Sequence, residues 1–558
     1  MTAARPDISA FDRWRSATLA PFSHRAFALF WSASVVSSFG SLIQTVGASW
    51  LMTTLAPSPD MIALVQTAGA LPFFFLSLIA GAFADTRDRR AIMLFSQVLM
   101  LVASALLAAV TLAGAITPML LLGLTFLIGC GTAVFAPAWQ SSIGEQVPRS
   151  QIASAVMANA VGFNLARSIG PALGGLIVAS AGAAVAFVVN AASYVGMLAT
   201  LLWWKPGRSR SHLPPEPLGS AIAAGIRYVS LSPHLLAILA RCLVYAIPMA
   251  ATPALMPVVA RDLLGGGART YGLLLGGFGI GAMVGALFSA TLRARMSSDT
   301  LLRILSGLAF AAMLTIGQST FAVLTLLALV VAGAVWTLGL ANFNIAIQLS
   351  SPRWVTGRML ATYQTVAFAG MAFGSWGWGV LAERIGLRES LSIAAVSALV
   401  SLVVARWAPV SVATLGSLDP HAGAEVAAPS VEIHPASGPI VVTITYRVPP
   451  ENAAEFIDVI NELGRIRRRD GARRWSACQD IDDPQYWVER FESPTWLDYL
   501  RRQTRPTLAD QGVRERMRQL ILGERGTVRR QIERPSGSEP LGGALSRPEP
   551  LDDTSSHA

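Results

Sequence analysis

The sequence predicts an all-α membrane protein that carries a small α+β domain at its C-terminal end. Composition, recurring apolar segments and the placement of charge lead to this prediction. The 558 residues are 53% hydrophobic and 14% charged, with a mean hydropathy of +0.51. A soluble protein carries about 25% charged residues. Apolar segments recur from residue 27 to residue 408, and a polar sequence with a different periodicity follows them.

Twelve of the apolar segments are long enough to cross a bilayer, for which a helix needs about 20 residues. We place six of them at 27–53, 60–84, 91–113, 118–142, 150–180 and 183–204. Six more lie at 234–260, 270–292, 300–318, 321–349, 355–381 and 389–408. The domains predicted from this pattern are an N-terminal segment 1–26, a six-helix half 27–204, a central proline-rich loop 205–233 and a second half 234–409. Two six-helix halves indicate parallel repeats around a central substrate cavity.

Positive charge alternates between the loops and predicts the topology. The loops at 54–60, 114–118 and 180–184 contain no lysine or arginine, whereas the intervening loops near 87–90, 149 and 205–227 do. Because basic loops stay in the cytoplasm, we expect a multi-pass protein of the bacterial inner membrane with both termini cytoplasmic. Arg261 and Arg269 depart from this alternation, and Asp262 accompanies the first of them.

A soluble domain is predicted at 438–533, after a linker at 410–437. Alternating residues at 440–446 indicate a strand, Pro449 and Pro450 open a helix with an apolar face, and 474–479 and 486–491 read as further strands. Helices follow near 495–502 and 507–522. The β-α-β-β-α order predicts a ferredoxin-like fold. The Ser/Gly/Pro-rich tail 534–558 is expected to be disordered.

The distribution of charge excludes a nucleic-acid partner. Residues 1–409 hold 24 basic and 11 acidic side chains, whereas residues 410–558 hold 19 and 22. The basic excess therefore belongs to the membrane loops, and the soluble part has no surplus for phosphate. Cys130, Cys242 and Cys478 are too far apart in sequence to form a metal or redox motif. We expect no metal, no cofactor and no catalytic residue, and the bilayer and a small molecule as partners.

A charged hairpin lies between two apolar segments and contains Gly81, Asp85, Arg89 and Arg90. The glycine permits close helix approach, and the carboxylate of Asp85 ends the second span, where it could meet a helix N-terminus. We interpret these four residues as a conformational latch, although topology alone would also place arginines there. The spacing Gly-x-x-x-Asp-x-x-x-Arg-Arg resembles the loop 2–3 signature of the major facilitator superfamily.

A second motif lies in the fifth span and consists of Gly170, Pro171, Gly174 and Gly175. Proline bends the helix and glycine allows tight packing. The motif resembles the antiporter signature of drug and metabolite exporters in this superfamily.

Polar side chains inside the spans are the candidates for the substrate cavity, because such groups are costly in a bilayer unless they face a partner or water. Each could equally be a structural contact between helices, and Arg241 could reach the cytoplasmic side. No Asp or Glu lies in the middle of a span, so Asp85 and Glu145 remain as proton-coupling candidates. The cavity candidates are Asn159, Asn164, Arg167, Arg241, Asn342, Asn344 and Gln364.

The chain as a whole resembles the enterobactin-exporter-like branch of the superfamily, in the transmembrane secretion effector type with an appended soluble domain. The segments that carry this resemblance are 159–175, 254–262, 271–287 and, in the soluble part, 467–472 with Trp475 and Trp496. The resemblance implies proton-coupled antiport that exports drugs, siderophores or related metabolites. An uptake transporter is the alternative.

The soluble domain resembles the small dimeric α+β barrels of the antibiotic-biosynthesis monooxygenase type. A membrane-bound transporter fused to such an enzyme is therefore a second alternative. Residues 438–533 contain no histidine and one thiol, Cys478, so we favour a non-enzymatic role in regulation or in forming a homodimer.

Overall fold

A computed structural model of the chain describes residues 20–534 except for 87, 205–217, 353, 411–428, 430, 432, 504, 506, 524 and 525. Most of the predicted N-terminal segment, the first part of the central loop, most of the linker and nearly all of the tail therefore lie outside the described residues. The contacts divide the chain into two compact units. The first comprises Met1–Gly225, His234–Gln348 and Thr356–Val412, and the second comprises Ile226–Pro233, Leu349–Val355 and Ala413–Ala558.

The described part of the chain contains twelve helices that are long and apolar enough to cross a membrane, and they form most of the first unit. This confirms the predicted number of spans. Spans 1 to 6 are Arg25–Leu55, Pro59–Thr86, Arg89–Leu112, Pro118–Gln146, Ile152–Ala181 and Ala183–Trp203. Span 7 is Pro233–Met249, continued by Ala251–Val258 and a π-helical turn, Val259–Leu263. Spans 8 to 12 are Ala268–Arg295, Ser298–Gln318, Ala322–Leu349, Thr356–Ile385 and Leu387–Ala398, the last continued by Val400–Val404.

Local sequence explains where several spans begin and end. Asp88 caps span 3 by accepting a hydrogen bond from the backbone nitrogen of Arg90 at 2.9 Å, and the hydroxyl of Thr117 caps span 4. Gly182 and Gly386 have φ values of 82° and 104° where spans 5 and 11 end. Because glycine adopts this conformation without steric cost, the chain turns back at once into spans 6 and 12. An amphipathic helix, Leu218–Ser230, precedes span 7.

We call the two ends of the helix bundle the basic end and the neutral end. The basic end carries the loops between spans 2 and 3, spans 4 and 5, spans 8 and 9, and spans 10 and 11. The neutral end carries the loops between spans 1 and 2, 3 and 4, 5 and 6, 7 and 8, 9 and 10, and 11 and 12. Spans 2 and 11 are antiparallel, so the start of span 2 and the end of span 11 meet at the neutral end.

The second unit contains a four-stranded antiparallel sheet with helices on one face. Its elements are β1 Ile440–Arg447, α1 Ala453–Arg469, β2 Arg473–Gln479, β3 Tyr486–Ser493, α2 Trp496–Gln503, α3 Leu508–Leu520 and β4 Thr527–Ile532. The strand order is β2-β3-β1-β4. Alternate residues of β1, namely Ile440, Val442 and Ile444, belong to the hydrophobic core of this domain. Phe456 and Leu463 of α1 pack in the same core.

The strand β4 was not predicted from the sequence. Its residues are mostly exposed, and it contains two adjacent arginines, Arg529 and Arg530. An edge strand with little burial lacks the apolar alternation that identifies strands in a sequence. The pairing with β1, from Ile440 opposite Ile532 to Thr445 opposite Thr527, therefore emerges only in the folded domain.

A buried carboxylate, Glu489 on β3, organises the polar interior of this domain. It is fully buried and accepts hydrogen bonds from the hydroxyl of Tyr446 at 2.8 Å and from the indole nitrogen of Trp475 at 2.9 Å. The guanidinium of Arg467 on α1 approaches it at 3.3 Å. Burial raises the pKa of Tyr446, and the charge of Glu489 adds to the effect. The carboxylate thus joins α1 to the sheet.

We expect Glu489→Gln to lower the free energy of unfolding of this domain by about 3 kcal/mol, because breaking one side of a buried ion pair leaves the other charge uncompensated. Trypsin cleavage within 438–533 of the full-length protein in detergent, followed across a urea gradient, measures the loss. Glu515→Gln is the matched control, since Glu515 pairs with Arg518 on the surface. Equal resistance of both variants would contradict the structural role of Glu489.

Candidate functional site

A cavity of about 220 Å³ lies in the first half, between spans 1, 2, 4 and 6. Apolar side chains such as Phe73 and Ile128 form part of its wall, and none of the described lining residues is charged. The polar groups come from all four spans and are hydroxyls and carboxamides. These polar lining residues are Ser41, Gln44, Thr45, Gln66, Thr125, Thr132, Asn190 and Tyr194.

A buried hydrogen-bond network forms one side of this cavity. The side-chain oxygen of Gln44 accepts hydrogen bonds from Ser104 at 2.6 Å and from the side-chain nitrogen of Asn190. Asn190 also donates to the hydroxyl of Tyr194 at 3.2 Å. All four residues are at most 5% exposed. The network joins spans 1, 3 and 6. Because the side-chain oxygen of Gln44 already accepts two hydrogen bonds, its amide nitrogen is the group that can donate to a ligand.

None of these residues is among the seven cavity candidates selected from the sequence. Serine, threonine and tyrosine occur throughout the spans, and only the facing of four helices distinguishes those that share a cavity. Among them, Thr125 has a buried hydroxyl without a hydrogen-bond partner in the described part of the chain. Such a hydroxyl in a cavity wall can form a hydrogen bond with a ligand. The sequence around Thr125 gives no indication of this role.

The two arginines of the predicted latch contact the first half of the bundle. Arg89 forms an ion pair with Glu145 at 2.7 Å and donates to the carbonyl of Ser141 at 3.2 Å. Arg90 donates to the carbonyls of Leu201 and Leu202 at 2.8 and 2.9 Å. These bonds tie the start of span 3 to spans 4 and 6 at the basic end. Glu145, the coupling candidate, is thus a partner of Arg89.

Two further latch residues lie in the last turns of span 2. A Cβ atom on Gly81 would lie 3.9 Å from the Cβ of Ala361 in span 11, so this glycine faces the other half of the bundle. Asp85 belongs to the same helix, but its side chain lies outside the described residues. Its role in the latch stays a prediction.

The glycines of the motif in span 5 allow this helix to approach two neighbours. A Cβ on Gly170 would lie 3.1 Å from Leu42, and one on Gly174 would lie 3.0 Å from the backbone of Ile43, both in span 1. A Cβ on Gly175 would lie 2.7 Å from the Cα of Gly272 in span 8. The carbonyl of Pro171 lies 2.8 Å from the Cβ position of Gly272. The motif therefore packs span 5 against both halves.

Arg167 lies one turn before that motif, in the contact between spans 5 and 8. Its guanidinium carbon lies 5.8 Å from the ring centroid of Phe278, a cation–π distance. The neighbouring Ser168 donates to the carbonyl of Gly279 at 3.2 Å. Arg167 does not belong to the lining of the cavity described above.

Arg241 lies in a structural ion pair. It is fully buried and donates to Asp299 at 2.8 Å and to the carbonyl of Ala408 at 3.1 Å. Asp299 also binds Arg303 at 2.8 Å. These contacts join span 7 to the start of span 9 and to the residues after span 12, and they neutralise a charge that would be costly alone.

The amide candidates also lie apart from the cavity. Asn342 donates to the carbonyl of Ser298 at 3.1 Å, Gln348 donates to Asn344, and Asn164 bonds within its own helix to the carbonyl of Ala160 at 2.9 Å. The structure thus does not gather the seven candidates into one site. Both polar atoms of Asn159 are buried without a partner among the described residues, and Gln364 is half-buried in span 11.

The two halves meet closely at the neutral end. Arg261, in the π-helical turn of span 7, donates to the carbonyl of Pro57 at 2.9 Å and to that of Thr53 at 3.4 Å, and its guanidinium also pairs with Asp262. The rings of Trp50 and Tyr271 stack with centroids 6.3 Å apart. The arginine that departed from the charge alternation therefore bridges spans 1 and 7.

Spans 2 and 11 form a second contact between the halves, along much of their length. A Cβ on Gly379 would lie 3.0 Å from the Cα of Asp60, and the hydroxyl of Thr67 donates to the carbonyl of Ala372 at 3.1 Å. Further along, the rings of Phe73 and Phe368 stack with centroids 4.1 Å apart. Because Phe73 also lines the cavity, its wall borders the second half.

The described residues of the second unit contain no cluster of three His, Cys, Asp or Glu that could hold a metal ion. Its interior carries a different feature: Arg502 is 4% exposed, and its guanidinium lies 4.1 Å from the ring centroid of Phe491. Burial lowers the pKa of Arg502 to about 9, and the charge of Arg467 adds to this. The buried arginines of this domain are thus stabilised in two ways: Arg502 by the aromatic ring of Phe491, and Arg467 by the carboxylate of Glu489.

Comparison with known proteins assigns the chain to a family. A family model described as "Transmembrane secretion effector" matches residues 16–536. The uncharacterized MFS-type transporter YfiS of Bacillus subtilis (strain 168) is 26% identical over 373 residues, 64% of this chain and 86% of that protein. The multidrug efflux pump Tap of Mycolicibacterium fortuitum is 26% identical over 388 residues, 68% of this chain and 94% of that protein.

A solved structure shares the fold of the membrane part. It is a bacterial homolog of the human lysosomal transporter Spinster in an inward-facing and unoccupied conformation. It aligns with a TM-score of 0.57 and 15% identity over 69% of this chain and 96% of that chain. At this identity the likeness concerns the fold alone.

The packing of span 5 on span 8 gives a stability prediction. Gly175→Val places a side chain against the backbone of Gly272, which cannot give way as a flexible side chain would. We expect the free energy of unfolding to fall by about 1–3 kcal/mol, the usual range for overpacking. Thermal unfolding in detergent measures this loss. Gly123→Val in span 4 is the control, since a Cβ there meets nothing within 4 Å, and an equal loss in both variants would contradict the packing role.

Proposed function

The chain belongs to the transmembrane secretion effector family of major facilitator transporters, and we propose that it exports a small organic molecule across the bacterial inner membrane by alternating access. The observation that carries the proposal is the uncharged cavity between spans 1, 2, 4 and 6, whose wall at Phe73 borders span 11 of the other half. Substrate would bind there and be released as the halves change their contacts.

The chemistry of the cavity wall favours an uncharged substrate. Its polar groups are hydroxyls and carboxamides, among which Gln44 can donate and Thr125 offers a free hydroxyl. An anionic siderophore would need a cation, and Arg167 lies elsewhere, against Phe278. Ligand sites of this kind combine apolar walls with a few placed polar groups. We therefore place a neutral, drug-like amphiphile ahead of a siderophore, in keeping with the relative named as a multidrug efflux pump.

The charge alternation and the contacts between the halves suggest how access is controlled. With the basic end in the cytoplasm, both termini are cytoplasmic and Arg261 lies at the external end. The bonds from Arg261 to the carbonyls of Thr53 and Pro57 then hold the external end closed, which is the state in which a cytoplasmic substrate could enter. Uptake remains the alternative direction.

We also propose that the ion pair between Arg89 and Glu145 takes part in coupling. Arg89 belongs to the loop 2–3 signature, Glu145 lies at the end of span 4, and protonation of Glu145 would remove the charge that holds Arg89. Asp85 and Gly81 complete the latch in this proposal, and the motif from Gly170 to Gly175 provides the packing that antiporters of this superfamily share.

For the C-terminal domain we propose a ferredoxin-like, non-catalytic module. The sheet order β2-β3-β1-β4 supports this fold. The buried carboxylate Glu489 is engaged by Tyr446, Trp475 and Arg467, which favours a structural role over that of a catalytic acid or base. A homodimer formed through this domain is part of the same proposal, and the size of the detergent-solubilised protein would test it.

The role of the cavity leads to a transport prediction. We expect Gln44→Leu to reduce efflux at least tenfold, because it removes the donor and leaves Ser104 and Asn190 without their shared acceptor. Cellular accumulation of uncharged compounds (chloramphenicol, Nile red), of cationic ethidium and of catecholate siderophores in efflux-deficient cells measures the effect, before and after the proton gradient is collapsed.

Gln364→Leu is the matched control, since this glutamine lies in span 11 outside the cavity. Efflux of charged compounds alone would contradict the substrate class, and loss in the Gln364 variant alone would favour the candidates chosen from sequence. No difference in accumulation of any compound between cells with and without the wild-type protein would contradict export.

The contact at Arg261 leads to a prediction about access. We expect Arg261→Gln to increase external access to the cavity about tenfold or more, because hydrogen bonds from a charged donor contribute about 1.5–3 kcal/mol each. The measure is the labelling rate of Thr45→Cys, in a variant without the native cysteines, by a membrane-impermeant maleimide added outside intact cells.

Arg269→Gln serves as the control for this experiment, since Arg269 is an exposed arginine in the same loop region. An unchanged labelling rate in the Arg261 variant would show that these bonds do not close the external end.

A further inference from the structure

Two aromatic side chains from distant membrane loops are packed together in the second unit. Tyr228 lies in the amphipathic helix before span 7, and Trp354 lies in the connection between spans 10 and 11. Their rings meet edge to face, with centroids 5.5 Å apart and an interplanar angle of 87°. The segments that carry them, Ile226–Pro233 and Leu349–Val355, belong to the same compact unit as the C-terminal domain.

Two arginines of the C-terminal domain cover these rings. The guanidinium of Arg469, at the end of α1, lies 5.1 Å from the ring centroid of Tyr228. That of Arg505, between α2 and α3, lies 4.3 Å from the ring centroid of Trp354. Both distances are within the range of cation–π attraction. Each loop thus contributes one ring and the domain contributes one cation to each ring.

Buried acidic and carbonyl groups fix both arginines in place. Arg469 pairs with Asp470 at 3.0 Å and with Asp510 at 2.8 Å, and both carboxylates are at most 4% exposed. Arg505 donates to the backbone carbonyl of Asp470 at 2.6 Å. Asp510 is in turn held by Thr507 in the capping box of α3. The arginines are therefore preorganised by the fold of the domain.

The aromatic residue that the loop before span 7 contributes is also buried. Tyr228 is 3% exposed, and burial raises the pKa of its hydroxyl. A tyrosine of an amphipathic helix at a membrane surface would normally keep its polar end in water. Its burial beside Arg469 indicates that the loop is shaped to fit the domain.

We propose that the C-terminal domain is a clamp, formed by Arg469 and Arg505, that holds the loop before span 7 and the loop between spans 10 and 11 together. Span 7 begins at Pro233, five residues after Tyr228, and span 11 begins at Thr356, two residues after Trp354. Through these short connections, the clamp restrains the spacing of spans 7 and 11 at their basic ends. In this proposal the domain regulates movement within the second half by restraining these two spans.

Hydrogen exchange of the full-length protein in detergent tests the clamp, and it does not depend on export or on substrate. Trp354→Ala removes one ring from the pair. We expect exchange in 226–233 to increase at least tenfold, although this segment lies more than a hundred residues away in sequence. Trp407→Ala is the matched control, since Trp407 is 77% exposed, and it should leave 226–233 unchanged.

A variant on the domain side provides an independent test. Arg505→Met removes the cation over Trp354, and we expect exchange in 349–355 to increase at least fivefold while β1 stays protected. Arg516→Met is its control, because Arg516 pairs with Glu462 on the surface. Unchanged exchange of the two loops in both the Trp354 and the Arg505 variants would overturn the clamp, and so would an increase in the loops that occurs only when β1 loses protection as well.

Discussion

The close contact between spans 5 and 8 at Gly175 and Gly272 is the constraint on which much of the membrane part depends. Lipid offers no hydrophobic drive for helix association, so helices in a bilayer are held by van der Waals contact and hydrogen bonds, both of which require close approach. The two glycines allow backbone to meet backbone, and the bond from Ser168 to the carbonyl of Gly279 adds a polar contact. With this contact formed, the neighbouring rings of Trp50 and Tyr271 can stack across the halves.

Electrostatics divides the polar groups of the bundle into two classes. Charged side chains such as Arg241 and Arg89 are paired with Asp299 and Glu145, because an isolated charge in a bilayer is costly. The groups around the cavity are neutral, and their hydrogen bonds converge on Gln44. Charged side chains therefore lie at the ends of the bundle and at contacts between helices. The hydrogen-bond donors and acceptors that can bind a ligand in the cavity are neutral. This separation is the physical basis for proposing an uncharged substrate.

The C-terminal domain follows a different rule, since it places charge in its interior. Glu489 receives bonds from three side chains, and Asp470 and Asp510 hold Arg469. Buried ion pairs of this kind contribute little net stability, because the cost of desolvation offsets most of their attraction. In this domain the arrangement aims two arginines at Tyr228 and Trp354, so the polar interior and the contact with the membrane loops form one structure.

The sequence by itself determined the twelve spans, the alternation of basic loops and the motif from Gly170 to Gly175, because hydropathy, charge and glycine spacing are local properties of the chain. It also identified β1 and α1 through their periodicity, and β2 and β3 as further strands, but not the exposed edge strand β4. The tertiary structure alone decided which polar residues share a cavity, since Gln44, Ser104 and Asn190 come together only through the rotation and packing of three helices. It also decided the partners of Arg241, Arg261 and Tyr228, because residues far apart in the chain meet only when the helices and loops that carry them are packed.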